Sequence, residues 1–100
     1  MSFALVVLTY RVPLDEVLKH VDDHRAYLAT LHKAGKLLAS GPFVPRTGGA
    51  LLLAVDGREE ALALVAADPF QVRGIAEYDG REWAAPVGAA ALAALAQRPG

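Results

Sequence analysis

Hydrophobic and polar residues follow two different spacings along this chain. Residues 3–10 and 50–55 are almost entirely apolar, which is typical of strands buried on both faces. Over residues 14–34 the apolar positions recur at intervals of three and four, which predicts one long helix ending at Gly35. Asp56 stands three residues before Glu59, a spacing typical of a helix start. The other predicted elements are a short strand at 36–40 broken by Gly41 and Pro42, a helix at 56–67 ended by Pro69, a strand at 75–83, and a helix at about 89–96.

The order of these elements is β-α-β-β-α-β with one further helix, which predicts a ferredoxin-like α+β fold. The 100 residues suffice for a single domain over 1–100, with a core at about 3–85 and a C-terminal helix and tail at 86–100. In this arrangement both main helices cover one face of an antiparallel sheet. The first and third strands are apolar on the other face too, and an exposed apolar face of that size is unusual on a monomer. We therefore expect a homodimer in which two sheets pack face to face.

Composition and charge exclude several classes of partner. The net charge is −1, from 10 basic and 11 acidic residues, and the basic residues form no stripe that would bind nucleic acid. The apolar run at residues 3–8 is far too short to cross a membrane and lacks the flanks of a signal peptide. The chain has no cysteine, which excludes disulfides, thiolate nucleophiles and iron–sulfur clusters. We therefore expect a cytoplasmic protein, in a reducing compartment, without a membrane-spanning segment.

Two residues stand out as candidates for chemistry, His24 and Asp68. His24 follows Val21 by three residues and precedes Leu28 by four, so it falls in the apolar stripe of the first helix and points inward. Asp68 falls at the C-terminal end of the second helix, where the helix dipole disfavours a carboxylate, and such local conflicts sometimes mark functional sites. Each also has a structural interpretation, His24 as a core histidine bonded to a backbone carbonyl and Asp68 as the opening of an Asp-Pro turn.

Together the two residues make a more specific hypothesis. A carboxylate that binds one imidazole nitrogen fixes the tautomer and leaves the other nitrogen free as an acid or a base. A metal site is the alternative, because His20 lies four residues before His24, a spacing that can place two imidazoles on one ion. Without cysteine, the third ligand would have to be Asp23 or Asp68, so we predict no metal site.

Three segments carry a resemblance to a known family. They read DHRAYL at 23–28, GKLLASGP at 35–42 and ADPF at 67–70, with Gly74 following. In this order and spacing they resemble the YciI family over roughly residues 3–85. The resemblance implies a dimeric ferredoxin-like α+β barrel with a His–Asp pair lining a pocket. It places that pair at His24 and Asp68, and a polar position at a strand end at Ser40.

The resemblance also bears on the substrate. Many family members carry a basic residue a few positions before the histidine, whereas residues 21–23 here read Val-Asp-Asp, which argues against an anion contact from that side. Members of the family are linked to the turnover of small aromatic or ring compounds, including dehydrochlorination.

The leading hypothesis is a small-molecule enzyme of the lyase or isomerase type that needs no cofactor. His24 acts as general acid or base and Asp68 orients it. The predicted substrate-binding residues are Ser40, Gly41, Pro42 and Phe70, with Ser40 holding a polar group and Phe70 forming a wall.

Several alternatives stay open from the sequence. Ser40 also suits a cap of the following bend, and Phe70 also suits the core. Tyr78, Arg81 and Trp83 could reach a pocket or form a dimer contact, and the two glycines at 48–49 are predicted to form a turn. For the whole protein, the rival hypotheses are a non-catalytic dimeric module that binds a small metabolite or another protein, and a purely structural dimer.

Overall fold

The computed structural model describes residues 2–96, so Met1 and the predicted tail at 97–100 lie outside the described residues. Within 2–96 the chain forms one four-stranded antiparallel sheet with the strand order β2-β3-β1-β4. This confirms the predicted ferredoxin-like α+β fold. In chain order the elements are β1 (Ser2–Tyr10), α1 (Leu14–Leu18), α2 (Val21–Lys33), β2 (Leu37–Pro42), β3 (Gly48–Val55), α3 (Arg58–Val65), α4 (Pro69–Val72), β4 (Ala76–Trp83) and α5 (Ala89–Ala96).

The first helical segment is two helices, so the prediction of one helix over 14–34 is wrong. The chain leaves helical geometry at His20, which has φ −114° and ψ 1°. The break turns α1 so that Val17 is buried while Leu14 and Leu18 are exposed. The predicted stop is confirmed, because Gly35 adopts φ 78°, a conformation that glycine reaches without steric cost.

The second helical segment is also divided. Helix α3 ends at Val65, and Pro69 is the first residue of α4, so the prediction that Pro69 ends a helix spanning 56–67 is wrong. Proline suits the first helical position because the N–H that it lacks would have no partner within the helix there. At the start of α3 the carboxylate of Glu60 accepts a 2.8 Å hydrogen bond from the Asp56 N–H, while no side chain caps the helix.

The two faces of the sheet are covered differently. Helices α1–α4 pack over one face, where the alternate residues of β1 and β3 form the main core. On the opposite face α5 packs against Phe3, Leu38 and Ala54, which are all buried. The C-terminal helix therefore supplies part of the cover that the sequence assigned to a second copy. Leu5 and Trp83 stay 37% and 46% exposed. The longest described helix, α2, has 13 residues, and none within 2–96 has the length and apolar character of a membrane span.

The two glycines at 48–49 begin β3 and are buried, so the prediction of a turn there is wrong. A Cβ on Gly48 would lie 1.9 Å from the carbonyl oxygen of Leu8 in the neighbouring strand. Only glycine permits this approach of the two backbones. Strand β2 likewise continues through Gly41 to Pro42 instead of stopping before them. Residues 43–47 connect the two strands.

Candidate functional site

The short helix α4 is specified by residues at both of its ends. Asp68 is its N-cap, with a carboxylate oxygen that accepts a 3.0 Å hydrogen bond from the N–H of Phe70. Gly74 ends it with φ 69°, and the N–H of Ile75 bonds back to the Phe70 carbonyl. Asp68 is thus the start of one helix and lies three residues beyond the end of α3, so the prediction that it opposes a helix dipole is wrong.

The Asp68 carboxylate is completely buried and is fully hydrogen-bonded. Its Oδ1 accepts from the Phe70 N–H and lies 2.8 Å from Nδ1 of His24. Its Oδ2 accepts a 2.5 Å hydrogen bond from the Tyr78 hydroxyl. The side chain is 0% exposed. A buried carboxylate is costly unless it is paired and bonded in this way.

His24 is held by Asp68 and turns its other nitrogen outward. Since a carboxylate only accepts hydrogen bonds, Nδ1 of the neutral ring carries the hydrogen and Nε2 keeps its lone pair. Nε2 has no hydrogen-bond partner within residues 2–96, where every buried side-chain nitrogen and oxygen has one. It must therefore reach solvent, although the side chain as a whole is only 13% exposed. The Phe70 ring stacks flat on the imidazole, with 3.9 Å between ring centroids and 3° between planes.

Tyr78 is a hydrogen-bond partner of Asp68, a contact that the sequence did not define. It lies on β4 and bonds the Asp68 oxygen that His24 does not contact. Its side chain lies neither in the cavity lining nor on the exposed sheet face. Burial, and then its hydrogen bond to Asp68, raise the pKa of the Tyr78 phenol above the ordinary 10.0. It therefore stays a hydrogen-bond donor. The sequence grouped Tyr78 with Arg81 and Trp83 as residues that could reach a pocket or form a dimer contact. In the fold, Arg81 pairs with Asp79 at 3.3 Å and Trp83 is on the other face of the sheet.

A cavity of about 160 Å³ opens beside the His24 ring. Its lining includes all four predicted substrate-binding residues together with His24, whereas Asp68 lies behind the imidazole and does not line it. Phe70 is 2% exposed in the core and also lines the cavity. The Ser40 hydroxyl makes no hydrogen bond within residues 2–96, so the alternative role as a cap of the bend is not formed. The lining residues are Leu8, Tyr10, Val21, His24, Arg25, Leu28, Ser40, Gly41, Pro42, Arg46, Gly49, Ala50, Leu51 and Phe70.

Three polar residues of the lining were missed by sequence reasoning: Tyr10, Arg25 and Arg46. Arg25 follows His24 directly on α2, and this adjacency is the one feature of the sequence that could have placed Arg25 at the cavity. Arg46 belongs to the connection between β2 and β3, where hydrophobic periodicity carries no information about which side chain meets a helix.

His20 and His24, whose spacing offered a metal site as the alternative, have other partners in the fold. The His20 ring lies 3.0 Å from an Arg73 nitrogen and 3.4 Å from a Glu16 oxygen, while His24 bonds Asp68. Within residues 2–96 no group of three or more His, Asp or Glu side chains is arranged to hold a metal ion.

Fold and site together define a small α+β protein in which an orienting carboxylate holds a histidine against a cavity. The chain belongs to the family of the YCII-related domain, whose model matches residues 1–84, and the resemblance noted in the sequence is thereby confirmed. It is 37% identical over 65 residues to an uncharacterized protein of Bacillus subtilis (strain 168), YjpA, covering 65% of this chain and 76% of that protein.

The fold is also found in a solved structure. This is 5-chloro-2-hydroxyhydroquinone dehydrochlorinase (TftG) from Burkholderia phenoliruptrix AC1100, in complex with 2,5-dihydroxybenzoquinone. The TM-score is 0.64 with 22% sequence identity, over 82% of this chain and 93% of that one. At this level of identity the likeness establishes a common fold.

Proposed function

We propose that this protein is a small-molecule enzyme of the lyase or isomerase type in which His24 transfers a proton. The observation that carries the proposal is the free Nε2 of an imidazole whose Nδ1 is fixed by a buried carboxylate. General acid–base groups positioned in this way contribute typically about 10²–10⁴-fold to a rate. Asp68 acts through His24 and is a positioning residue, because it does not line the cavity.

The chemistry that suits this arrangement is proton abstraction next to an electron-withdrawing group. The Nε2 lone pair takes a proton from the substrate, and the electron pair of the broken bond forms a new double bond. In an elimination, the leaving group departs with its own electron pair. In an isomerisation, the proton returns from Nε2 to another atom of the substrate. The imidazolium that forms in between is stabilised by the Asp68 carboxylate at 2.8 Å, and neither route needs a cofactor.

The size of the cavity and the related structure support a compact ring as substrate. A cavity of about 150 Å³ takes one benzene ring, and the volume beside His24 is about 160 Å³. The dehydrochlorinase with the same fold is named for a chlorinated, hydroxylated ring and was solved with a dihydroxylated quinone. Ser40, whose hydroxyl is free in the described chain, would donate a hydrogen bond to an oxygen of such a ring.

The test is a turnover screen with a matched histidine control. Chlorinated and non-chlorinated hydroxyhydroquinones are incubated with wild type, His24→Gln and His32→Gln, and both chloride release and ultraviolet absorbance are followed. His32 lies on the same helix but outside the cavity, with its Nδ1 bonded to the Leu37 carbonyl. We expect His24→Gln to lose at least about 10²-fold in rate and His32→Gln to match wild type. Equal rates for wild type and His24→Gln would exclude the proposed role, and ligand binding without turnover would favour the rival binding module.

We also propose that two copies associate through the sheet face that α5 leaves open. Leu5 and Trp83 are exposed there, and Leu52 is half-buried beside them. Burying such apolar surface is favourable in water. Sedimentation over a range of concentrations should give a dimer for wild type and a shift to monomer for Trp83→Glu. Val72→Glu, on the helix side of the sheet, should stay dimeric, and a wild-type monomer at every concentration would contradict the proposal.

A further inference from the structure

We propose that the cavity binds a small organic anion, and that Arg25 and Arg46 hold its negatively charged oxygen atoms. This rests on the proposed function, because it names the substrate class of the same cavity. The sequence argued against an anion contact on the strength of the acidic residues at 22–23. In the fold, two arginines line the cavity from other places, Arg25 from α2 and Arg46 from the β2–β3 connection.

The charge of the cavity lining is one-sided. Of its fourteen residues, two are arginines and none is Asp or Glu. The Asp68 carboxylate bonds to His24 of the lining, and its oxygens are already occupied by His24, the Phe70 N–H and Tyr78. A cation next to partly buried apolar walls attracts an anion more strongly than the same cation in bulk water. A ligand that brings no negative charge would leave this attraction unused.

Neither cavity arginine is neutralised by the described chain. Within residues 2–96, no carboxylate lies within ion-pair distance of Arg25 or Arg46. Arginines elsewhere in the same fold do find such partners, as Arg73 does with Asp23 at 2.9 Å. Arg25 thus keeps its guanidinium donors for a ligand, and Arg46 keeps those of its two terminal nitrogens. Guanidinium pairs well with carboxylate and enolate oxygens.

Arg46 is held in place before any ligand arrives. Its Nε donates a 3.3 Å hydrogen bond to the Tyr10 hydroxyl, which leaves both terminal nitrogens available. The connection that carries it is tied down by a 3.1 Å bond from the Tyr10 N–H to the Thr47 carbonyl and a 2.8 Å bond from the Phe43 N–H to the Gly48 carbonyl. A donor that is already oriented loses less conformational freedom on binding.

The rest of the lining specifies what carries the charge. The walls are aromatic or aliphatic, with Phe70 stacked on His24 and Tyr10 edge-on to Phe70 at 6.3 Å between centroids. The volume fits one ring with few substituents. The geometry therefore points to a ring compound with ionised oxygen substituents, an enolate, phenolate or carboxylate, and against a neutral aromatic compound.

The experiment measures binding without turnover, by calorimetry at neutral pH. The anionic probe is 2,5-dihydroxybenzoquinone, whose acidic hydroxyls are ionised there, and the neutral probe is its dimethyl ether, 2,5-dimethoxybenzoquinone. The proteins are wild type, Arg25→Gln, Arg46→Gln and Arg58→Gln. Arg58 is the matched control, since it lies at the start of α3, outside the cavity lining.

We expect wild type to bind the anionic probe and to bind the neutral probe far more weakly. Each cavity arginine variant should lose roughly 10- to 100-fold in affinity for the anion, as for a lost charge-assisted hydrogen bond. Arg58→Gln should bind like wild type. Failure of wild type to bind the anion, equal binding of both probes, or full affinity in both Arg25→Gln and Arg46→Gln would overturn the inference.

The outcomes also separate this inference from the proposed reaction. Arginine-dependent binding in a protein that turns nothing over supports anion binding and contradicts the lyase proposal. Turnover that depends on His24 but survives both arginine substitutions supports the reaction and contradicts the anion site.

Discussion

The Tyr78 hydroxyl donates a 2.5 Å hydrogen bond to Oδ2 of Asp68, the carboxylate oxygen that His24 does not contact. Three elements thus meet in one chain of hydrogen bonds, from β4 through the start of α4 to α2, and His24 on α2 lies 44 residues before Asp68. With the phenol bonded to Oδ2, both carboxylate oxygens of Asp68 accept hydrogen bonds. Asp68 in turn fixes the imidazole. The orientation of His24 therefore depends on a residue that does not line the cavity.

Replacing Tyr78 with phenylalanine should destabilise the protein. The change keeps the ring but leaves the buried Oδ2 of Asp68 without a donor, which costs about 1–3 kcal/mol. Urea unfolding of the variant checks this. Tyr10→Phe is the matched control, because its hydroxyl accepts only a 3.3 Å hydrogen bond from Arg46 and its loss should cost less than about 1 kcal/mol. Equal stability of Tyr78→Phe and wild type would contradict the hydrogen bond.

Tyr78 should also make the protein sensitive to alkali. Burial and the bond to Asp68 raise the pKa of Tyr78 in the folded protein above the 10.0 of an exposed phenol. As the pH rises, the unfolded chain therefore releases this proton before the folded protein does. The stabilisation is complete below the pKa of the unfolded chain and is lost as the pH rises from there through the higher pKa of the folded protein. The free energy of unfolding should fall above about pH 10, and more steeply in wild type than in Tyr78→Phe. Parallel pH profiles for the two proteins would contradict the shift.

Gly48 should tolerate no side chain. A Cβ there would stand 1.9 Å from the Leu8 carbonyl oxygen, so the β1–β3 pairing must move apart. We expect Gly48→Ala to lose at least about 1–3 kcal/mol in unfolding free energy. Gly41→Ala is the control, because a Cβ at that strand position meets no atom within 4 Å, and it should stay within about 0.5 kcal/mol of wild type. Similar stabilities for the two variants would refute this account of the β3 start.

The parts of the site that the sequence predicted are those specified locally. His24 points inward because it shares helical spacing with Val21 and Leu28, and that spacing needs no tertiary information. The motif from Asp68 through Pro69 to Gly74 matches the rules for the start and stop of a short helix. Helix α4 itself has only four residues, too few for a hydrophobic pattern to predict it. The function of Asp68 as its N-cap was therefore missed.

The parts that the sequence could not predict depend on contacts between distant segments. The break between α1 and α2 falls at His20, whose ring contacts Arg73, 53 residues away. The partnership of Tyr78 with Asp68 depends on which face of β4 turns inward, and the position of Arg46 depends on how the β2–β3 connection folds back. Spacing predicted the helix at 89–96 but not the sheet face that α5 covers.

The central claim is that Asp68 holds the His24 ring with its hydrogen on Nδ1 and Nε2 free. Replacing Asp68 with asparagine keeps the N-cap but offers the ring both a donor and an acceptor, so the tautomer is no longer fixed. If the proposed reaction is supported, turnover by this variant should fall by about 10²–10⁴-fold.

Histidine ¹⁵N NMR at about pH 8.5, where an ordinary imidazole is neutral, tests the claim without a substrate. The His24 signals are assigned by their absence in His24→Gln. The account predicts a protonated Nδ1 and an unprotonated Nε2 in wild type, and a mixed or reversed pattern in Asp68→Asn. A hydrogen on Nε2 in the wild-type protein, or the same tautomer in both proteins, would contradict it.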